Sequence, residues 1–207
     1  GTHQSRLVGL TLGGKFTMSG KNYTGRHWWS DCPDGEPVVG KEAEDLAREY
    51  DVLKAAWPEE PGRTGSRPLP HGVIHADLFP DNVLMLDGRV TGLIDFYFAC
   101  SEIRAYDLAV THSAWCFSND GTVFDTDVSA GLLAGYTDIM PLDAATQAAL
   151  PILLRGACLR FLLTRCYDWI NTPANALVTR KDPLAFLHRL DFYSDPSEVE
   201  NLFRHRA

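Results

Sequence analysis

The chain has 207 residues, 45% hydrophobic and 22% charged, an ordinary globular composition with room for one domain or a small pair. Its formal net charge of −8 argues against a broad nucleic-acid surface, which needs a basic face, but leaves room for a local anion site. No uninterrupted apolar run approaches the ~18 residues of a membrane span, and no apolar leader core stands near the start.

Five cysteines are present: Cys32, Cys100, Cys116, Cys158 and Cys166. None forms a C-x-x-C pair, and the last four lie in apolar stretches. That usage implies a reducing, cytoplasmic setting with neither a disulfide scaffold nor a zinc site.

Residues 1–40 are expected to be irregular or partly ordered. The run Gly9 to Lys15 has the glycines of a phosphate loop, but Phe16 follows the lysine where Ser or Thr is needed, and no helical pattern follows. His27, Trp28 and Trp29 form an aromatic cluster of unassigned role. Residues 41–57 predict an amphipathic helix, with Leu46, Tyr50, Leu53 and Trp57 on one face and Pro58 as its stop. Residues 58–70, rich in proline and glycine, predict a surface linker.

Residues 71–98 carry the chemistry. Gly72–Ile74 is a short apolar run ending at His75. Val83–Leu86 and Val90–Ile94 are two more, joined across Asp87-Gly88, a strong hairpin signal. Asp77 and Asn82 therefore sit in a loop before one hairpin strand, and Asp95 just after the other. A hairpin brings its open ends together, so Asn82 and Asp95 are expected to be neighbours. Phosphoryl transfer from a nucleotide needs this set: a carboxylate for the attacking hydroxyl, plus an amide oxygen and a second carboxylate for magnesium. The bland alternative is that Asp and Asn are here only as turn formers; Asp81 fits that description.

Residues 103–117 predict a helix with Tyr106, Ala109, Val110, Ser113 and Phe117 inward. His112 and Trp115 fit either an acceptor pocket or plain packing. Residues 118–127 predict a polar loop that lacks the spacing of a calcium loop. Residues 127–139 predict a helix, ended by Pro141. Two helices are expected over 142–170, Ala144–Leu150 and Ile152–Ile170, with Pro151 in the first turn of the second. The second bears Arg155, Arg160 and Arg165 on different faces. These serve either a substrate carboxylate or structural acids. Asp182-Pro183 opens a last helix to about Leu190, and residues 194–207 predict a frayed polar tail.

The loop reads His75-Ala-Asp77-Leu-Phe-Pro-Asp-Asn82, and the later element reads Ile94-Asp95-Phe96-Tyr97. Together with Tyr106-Asp107-Leu-Ala109, Ala114 to Phe117 and Arg155 to Pro173, these resemble the aminoglycoside phosphotransferase-like branch of the protein-kinase-like fold. Within that branch the chain looks most like bacterial homoserine kinases. The resemblance covers roughly residues 40–190. It implies an α+β, mostly helical fold: the C-terminal lobe of a protein-kinase-like fold with a small catalytic β-hairpin over residues 41–193. The first helix would pack beneath the catalytic loop.

The resemblance also implies roles. Asp77 would accept the proton of the acceptor hydroxyl or orient it. Asn82 and Asp95 would hold Mg2+ and, through it, ATP. Asp107 would brace the catalytic loop, or serve only as an acidic residue in a helix's first turn. His75 would be catalytic or, preferably, a buried orienter bonded to backbone near Asp95. The acceptor would be a small molecule, with L-homoserine first; an aminoglycoside, choline or a sugar are alternatives, as is a non-catalytic lobe that binds a partner. No nucleic-acid or membrane partner is implied, and oligomeric state is left open. The strand-rich nucleotide lobe, with its lysine and phosphate-covering loop, is not recognisable upstream of residue 41.

Overall fold

The computed structural model describes residues 17–18, 21–22, 41–58, 69–173, 176–177 and 180–204. The run Gly9–Lys15, the cluster at residues 27–29, Cys32 and most of the 58–70 linker lie outside the described residues. The described elements run β1 (Thr17–Met18), β2 (Lys21–Asn22), α1 (Lys41–Ala56), β3 (His71–Ile74), β4 (Val83–Leu86), β5 (Arg89–Leu93) and β6 (Cys100–Ile103). The helices α2 (Arg104–Trp115), α3 (Thr126–Ile139), α4 (Ala144–Asn171), α5 (Leu184–Ser194) and α6 (Pro196–Arg204) follow. This is the expected α+β, mostly helical fold with a small hairpin.

The strands form three separate antiparallel pairs: β1 with β2, β3 with β6, and β4 with β5. In the first, Thr17 faces Asn22 inside a segment expected to be irregular. The β4–β5 turn places Asp87 and Gly88 at φ of 50° and 73°. Two successive left-handed residues make the tight turn that matches strand twist, which is why Asp-Gly stands there. A bulge between Leu84 and Met85 shifts the register, so that Val83 pairs with Leu93 but Leu86 with Arg89. The β3–β6 pair sets His71 opposite Ile103 and Ile74 opposite Cys100. It ties the start of the catalytic stretch to the chain just beyond Asp95.

Helix α4 is the core. Leu150, Leu153, Leu154, Ala157, Cys158 and Leu159 are all buried, and α4 packs on α5, α2 and α1. On α1 the inward residues are Leu46 and Leu53, with Tyr50 and Trp57 packed beside them. Gly156 of α4 allows the close approach: a Cβ there would stand 2.5 Å from the Trp57 ring. Ala144–Trp169 is long and apolar enough to cross a membrane by length and composition alone, yet 61% of that window is buried inside the protein. It reads as a core helix.

Two expectations are corrected. Residues 144–171 form one continuous helix, with Pro151 inside it. A proline in a helix removes one backbone bond and costs about 3 kcal/mol. Its neighbours Leu150, Leu153 and Leu154 are all at most 2% exposed. At roughly 2 kcal/mol each, their burial outweighs the break. Beyond residue 194, a helix stands where a frayed tail was expected. The Asp195 carboxylate accepts from the backbone N–H of Ser197 at 2.8 Å and its hydroxyl at 2.6 Å, Pro196 opens the first turn, and Val199 is buried. Smaller differences concern α2, which ends before Phe117, and α3, where Val128 and Ile139 face outward and Leu133 is buried.

Candidate active site

The stretch from His75 to Asn82 has almost no regular structure, yet its main chain is held at nearly every step. The Asp107 carboxylate, in the first turn of α2, accepts from the N–H of His75 at 3.0 Å and of Ala76 at 2.7 Å. The Ala76 carbonyl accepts from Arg160 Nη1 at 2.6 Å. The Asp77 carbonyl accepts from the Asn82 amide at 2.8 Å and from the Phe79 N–H at 2.9 Å. The Leu78 carbonyl accepts from the Trp115 indole at 2.9 Å, and the Phe79 carbonyl from the Asn82 N–H at 3.0 Å. Four consecutive carbonyls are thus anchored, by α2, by α4 and by the loop itself.

That anchoring explains an unusual backbone. Ala76 sits at φ 61° and Asp95 at φ 61°, ψ 55°, the left-handed region that non-glycine residues seldom adopt. Such residues persist where the surroundings over-determine them. Phe79 adds a side-chain anchor, its ring 4.8 Å from that of Phe161 on α4.

The hairpin delivers the other half. The N–H of Ile94 donates to the Asn82 carbonyl at 3.0 Å, which fixes Asp95 beside the Asn82 end of the loop. His75 is buried, and its Nε2 lies 2.9 Å from the Ile94 carbonyl. A carbonyl only accepts, so Nε2 carries the proton. The imidazole thereby bridges the start of the loop to the residue before Asp95, and Phe96 packs on its ring with centroids 4.8 Å apart.

Asp77, Asn82 and Asp95 converge. Asn82 donates its amide N–H to the Asp77 main chain and, at 3.3 Å, to Asp77 Oδ2. Its amide oxygen is left as an acceptor. Burial raises the Asp77 pKa above the usual carboxylate range; the Arg160 guanidinium pulls it back, and the neighbouring Asp95 carboxylate pushes it up again. Asp95 is exposed, as are Ile94, Phe96 and Tyr97 around it. The Asp77 and Asp95 carboxylates, which repel each other, and the Asn82 amide oxygen are an all-oxygen set suited to a hard divalent cation. No group of three His, Cys, Asp or Glu side chains is placed to hold a metal among the described residues. Magnesium fits the smaller set, because it commonly keeps waters and substrate phosphate oxygens.

Other candidates are placed elsewhere. Arg155 forms a bidentate pair with Glu49 at 2.7 and 2.6 Å, joining α4 to α1. Arg165 donates to the Asp182 carbonyl at 2.9 Å. His112 is 1% exposed, with Nδ1 2.6 Å from the Tyr193 hydroxyl and Nε2 2.8 Å from Ser129 Oγ; it packs in the core. Asp81 is an exposed turn residue that also pairs with Lys181 at 2.9 Å. Arg160 and Trp115 are the loop anchors that sequence reasoning missed. A buried arginine in the middle of an apolar helix was the available signal.

A family model described as "Phosphotransferase enzyme family" matches residues 21–142. The chain is also similar to several curated proteins. It is 55% identical over 147 residues to the homoserine kinase of Gluconobacter oxydans, covering 71% of this chain and 44% of that protein. It is 54% identical over 167 residues to the homoserine kinase of Methylobacterium radiotolerans, with 81% and 48% covered. The homoserine kinase of Parvibaculum lavamentivorans is 46% identical over 189 residues, with 87% and 55% covered. The chain spans about half the length of the curated relatives it matches.

Proposed function

Because the chain belongs to the phosphotransferase enzyme family, we propose that it carries the acceptor-activating half of a kinase that moves the γ-phosphoryl group of ATP to the hydroxyl of L-homoserine. The observation that carries this reading is the rigid presentation of Asp77 beside Asn82 and Asp95. The names of the relatives, about half of whose length this chain spans, support the choice of acceptor. A reducing, cytoplasmic location belongs to the same reading.

Asp77 accepts a hydrogen bond from the acceptor hydroxyl and takes its proton as the oxygen bonds to the γ-phosphorus. The bond from phosphorus to the bridging oxygen breaks, and ADP leaves with that electron pair. Phosphoryl transfer needs little covalent help from the protein, so positioning and charge dominate. The gripped main chain of residues 76–79 holds Asp77 in place. Asn82 and Asp95 would hold magnesium, which when bound neutralises phosphate charge. His75 and Asp107 are positioning residues: one fixes Asp95 through the Ile94 backbone, the other fixes the loop start.

A kinase also needs a lysine on the nucleotide and a loop over its phosphates. These would come from a nucleotide lobe outside the described residues, with residues 41–193 as the catalytic lobe. The test is an ADP-release assay on the full-length protein with ATP and magnesium, offering L-homoserine, choline, an aminoglycoside and a sugar in parallel. L-Homoserine is expected to be preferred by at least ~100-fold in kcat/KM, since an acceptor lacking a group the site is built to bind is rejected strongly. Preference for another acceptor would reject the substrate assignment, and no ATP turnover with any would reject the kinase.

A further inference from the structure

A cavity of about 370 Å³ opens beside Phe79 and Pro80, between the catalytic loop and helices α4 and α5. Its charged lining consists of Arg165, Lys181, Arg189, Asp81 and Asp182, three cations against two acids.

The acids are already engaged. Asp81 pairs with Lys181 at 2.9 Å. Asp182 Oδ1 accepts from the N–H of Leu184 at 2.9 Å, at the start of α5. Neither Arg165 nor Arg189 hydrogen-bonds a carboxylate among the described residues. Arg165 donates to the Asp182 main-chain carbonyl and Arg189 to that of Ser118, both at 2.9 Å. Arg189 is 4% exposed, and its Nε and Nη1 have no hydrogen-bond partner among the described residues. The two guanidinium groups stack on one ring: each Cζ lies 4.5 Å from the centroid of Phe186. Stacking fixes the planes but leaves N–H edges unfilled.

Two guanidiniums stacked on one ring are an unbalanced arrangement, which the nearby Asp182 and Asp81 carboxylates oppose on Arg165 and Asp120 opposes on Arg189. Burial, and then the repulsion of Arg189, hold the Arg165 pKa down to about 10 against the pull of Asp182 and Asp81, so Arg165 remains cationic at neutral pH. A carboxylate would relieve that imbalance and match the fork of N–H donors bidentately. The cavity also adjoins the loop that carries Asp77. Phe79 and Pro80 follow Asp77 closely in the loop, and the Lys181 ammonium acts on the Asp77 carboxyl.

We propose that this cavity binds the α-carboxylate of the amino-acid acceptor, with half-buried Arg165 as the donor and Arg189 holding Arg165 in place across Phe186. The assignment rests on the amino-acid acceptor read above. It gives the site a reason to discriminate an amino acid from a plain amino alcohol: removing the carboxylate leaves a half-buried cation without its partner.

The experiment is a two-by-two comparison on the full-length protein. Parent and Arg165→Gln are assayed with L-homoserine and with L-homoserine amide, whose carboxylate is replaced by a neutral carboxamide. Arg165→Gln should raise KM for L-homoserine roughly 10–100-fold, with a smaller fall in kcat, and should change kcat/KM for the amide less than ~3-fold. Arg165→Lys should recover part of the loss, because it restores charge without the fork. Equal losses for acid and amide would overturn the proposal. So would a KM shift confined to ATP, which would put a nucleotide phosphate in the cavity. An amide turned over by the parent as well as the acid would overturn it without any variant. If the parent does not phosphorylate L-homoserine at all, the acceptor reading itself falls and this assignment falls with it.

Discussion

The Asp107 carboxylate reaches across 31 residues of sequence to accept the Ala76 N–H at 2.7 Å, and Ala76 is the left-handed residue immediately before Asp77. The same carboxylate also holds the His75 N–H. One acidic side chain therefore sets the conformation through which the chain enters the reacting loop. Asp107→Asn keeps the size but leaves one of the two N–H groups facing an amide NH2. It is expected to destabilise the fold by about 1–3 kcal/mol. Turnover should fall by more than KM rises, because Asp107 touches no substrate. Urea unfolding and steady-state kinetics on one sample check both; an equal fall in kcat with no loss of stability would contradict the bracing role.

Asp77 faces a direct test. Asp77→Asn retains an oxygen acceptor for Asn82 but cannot take a proton. The expected loss in kcat is about 10²–10⁴-fold with little change in the KM for ATP. Because burial is the main cause of the raised Asp77 pKa, the acid limb of kcat/KM should lie above the ordinary aspartate range. A limb at or below that range would contradict the burial argument.

His112 makes the fold sensitive to acid. Burial between Tyr193 and Ser129 lowers its pKa from 6.5 to about 4. The neutral ring is favoured in the folded state, so the unfolded chain binds more protons between these values. Its stability contribution is therefore complete above pH 6.5 and is lost as the pH falls toward 4, by up to about 3 kcal/mol. Denaturant midpoints measured at pH 7 and 4.5 should show that loss in the parent and much less of it in His112→Gln, which does not titrate. An unchanged pH dependence in the variant would reject His112 as its source.

Gly156 inverts a common rule. Exchanging glycine for alanine in a helix usually stabilises by about 0.5–1 kcal/mol. Here the added Cβ would meet the Trp57 ring at 2.5 Å. Gly156→Ala should instead lower the melting temperature, by the equivalent of about 1–3 kcal/mol. Pairing it with Trp57→Leu should recover part of the loss. Additive losses in the double variant would show that Trp57 is not what the methyl group strikes.

The hairpin was legible because its signal is local. Short apolar runs on both sides of Asp87-Gly88 specify strands, and the dipeptide specifies a turn that only residues tolerant of positive φ can make. The face of α1 was legible from spacing alone. Pro151 misled for the opposite reason. A local rule read it as a helix start, while leucines packed on α2 and α5 carry the helix straight through. The sixth helix was hidden by its polar composition, in which Val199 is the inward residue that the row of charges obscures. In the site, residue types and spacings pointed to Asp77, Asn82 and Asp95, and the resemblance to the Asp107 brace and the His75 contact with backbone beside Asp95, but the other clamps could not be read. Arg160 and Trp115 bind main-chain carbonyls, and a carbonyl has no sequence signature.

The grip on residues 76–79 has an evolutionary consequence. At Leu78 the anchor holds the main-chain carbonyl, so the side chain of Leu78 is not what keeps Asp77 in place. Lineages, or protein engineers, can therefore exchange such positions and adjoining cavity walls while Asp77 stays where it was. A scaffold that fixes its reactive group from behind leaves its front surface available to selection, and one catalytic frame can then diversify across many acceptors.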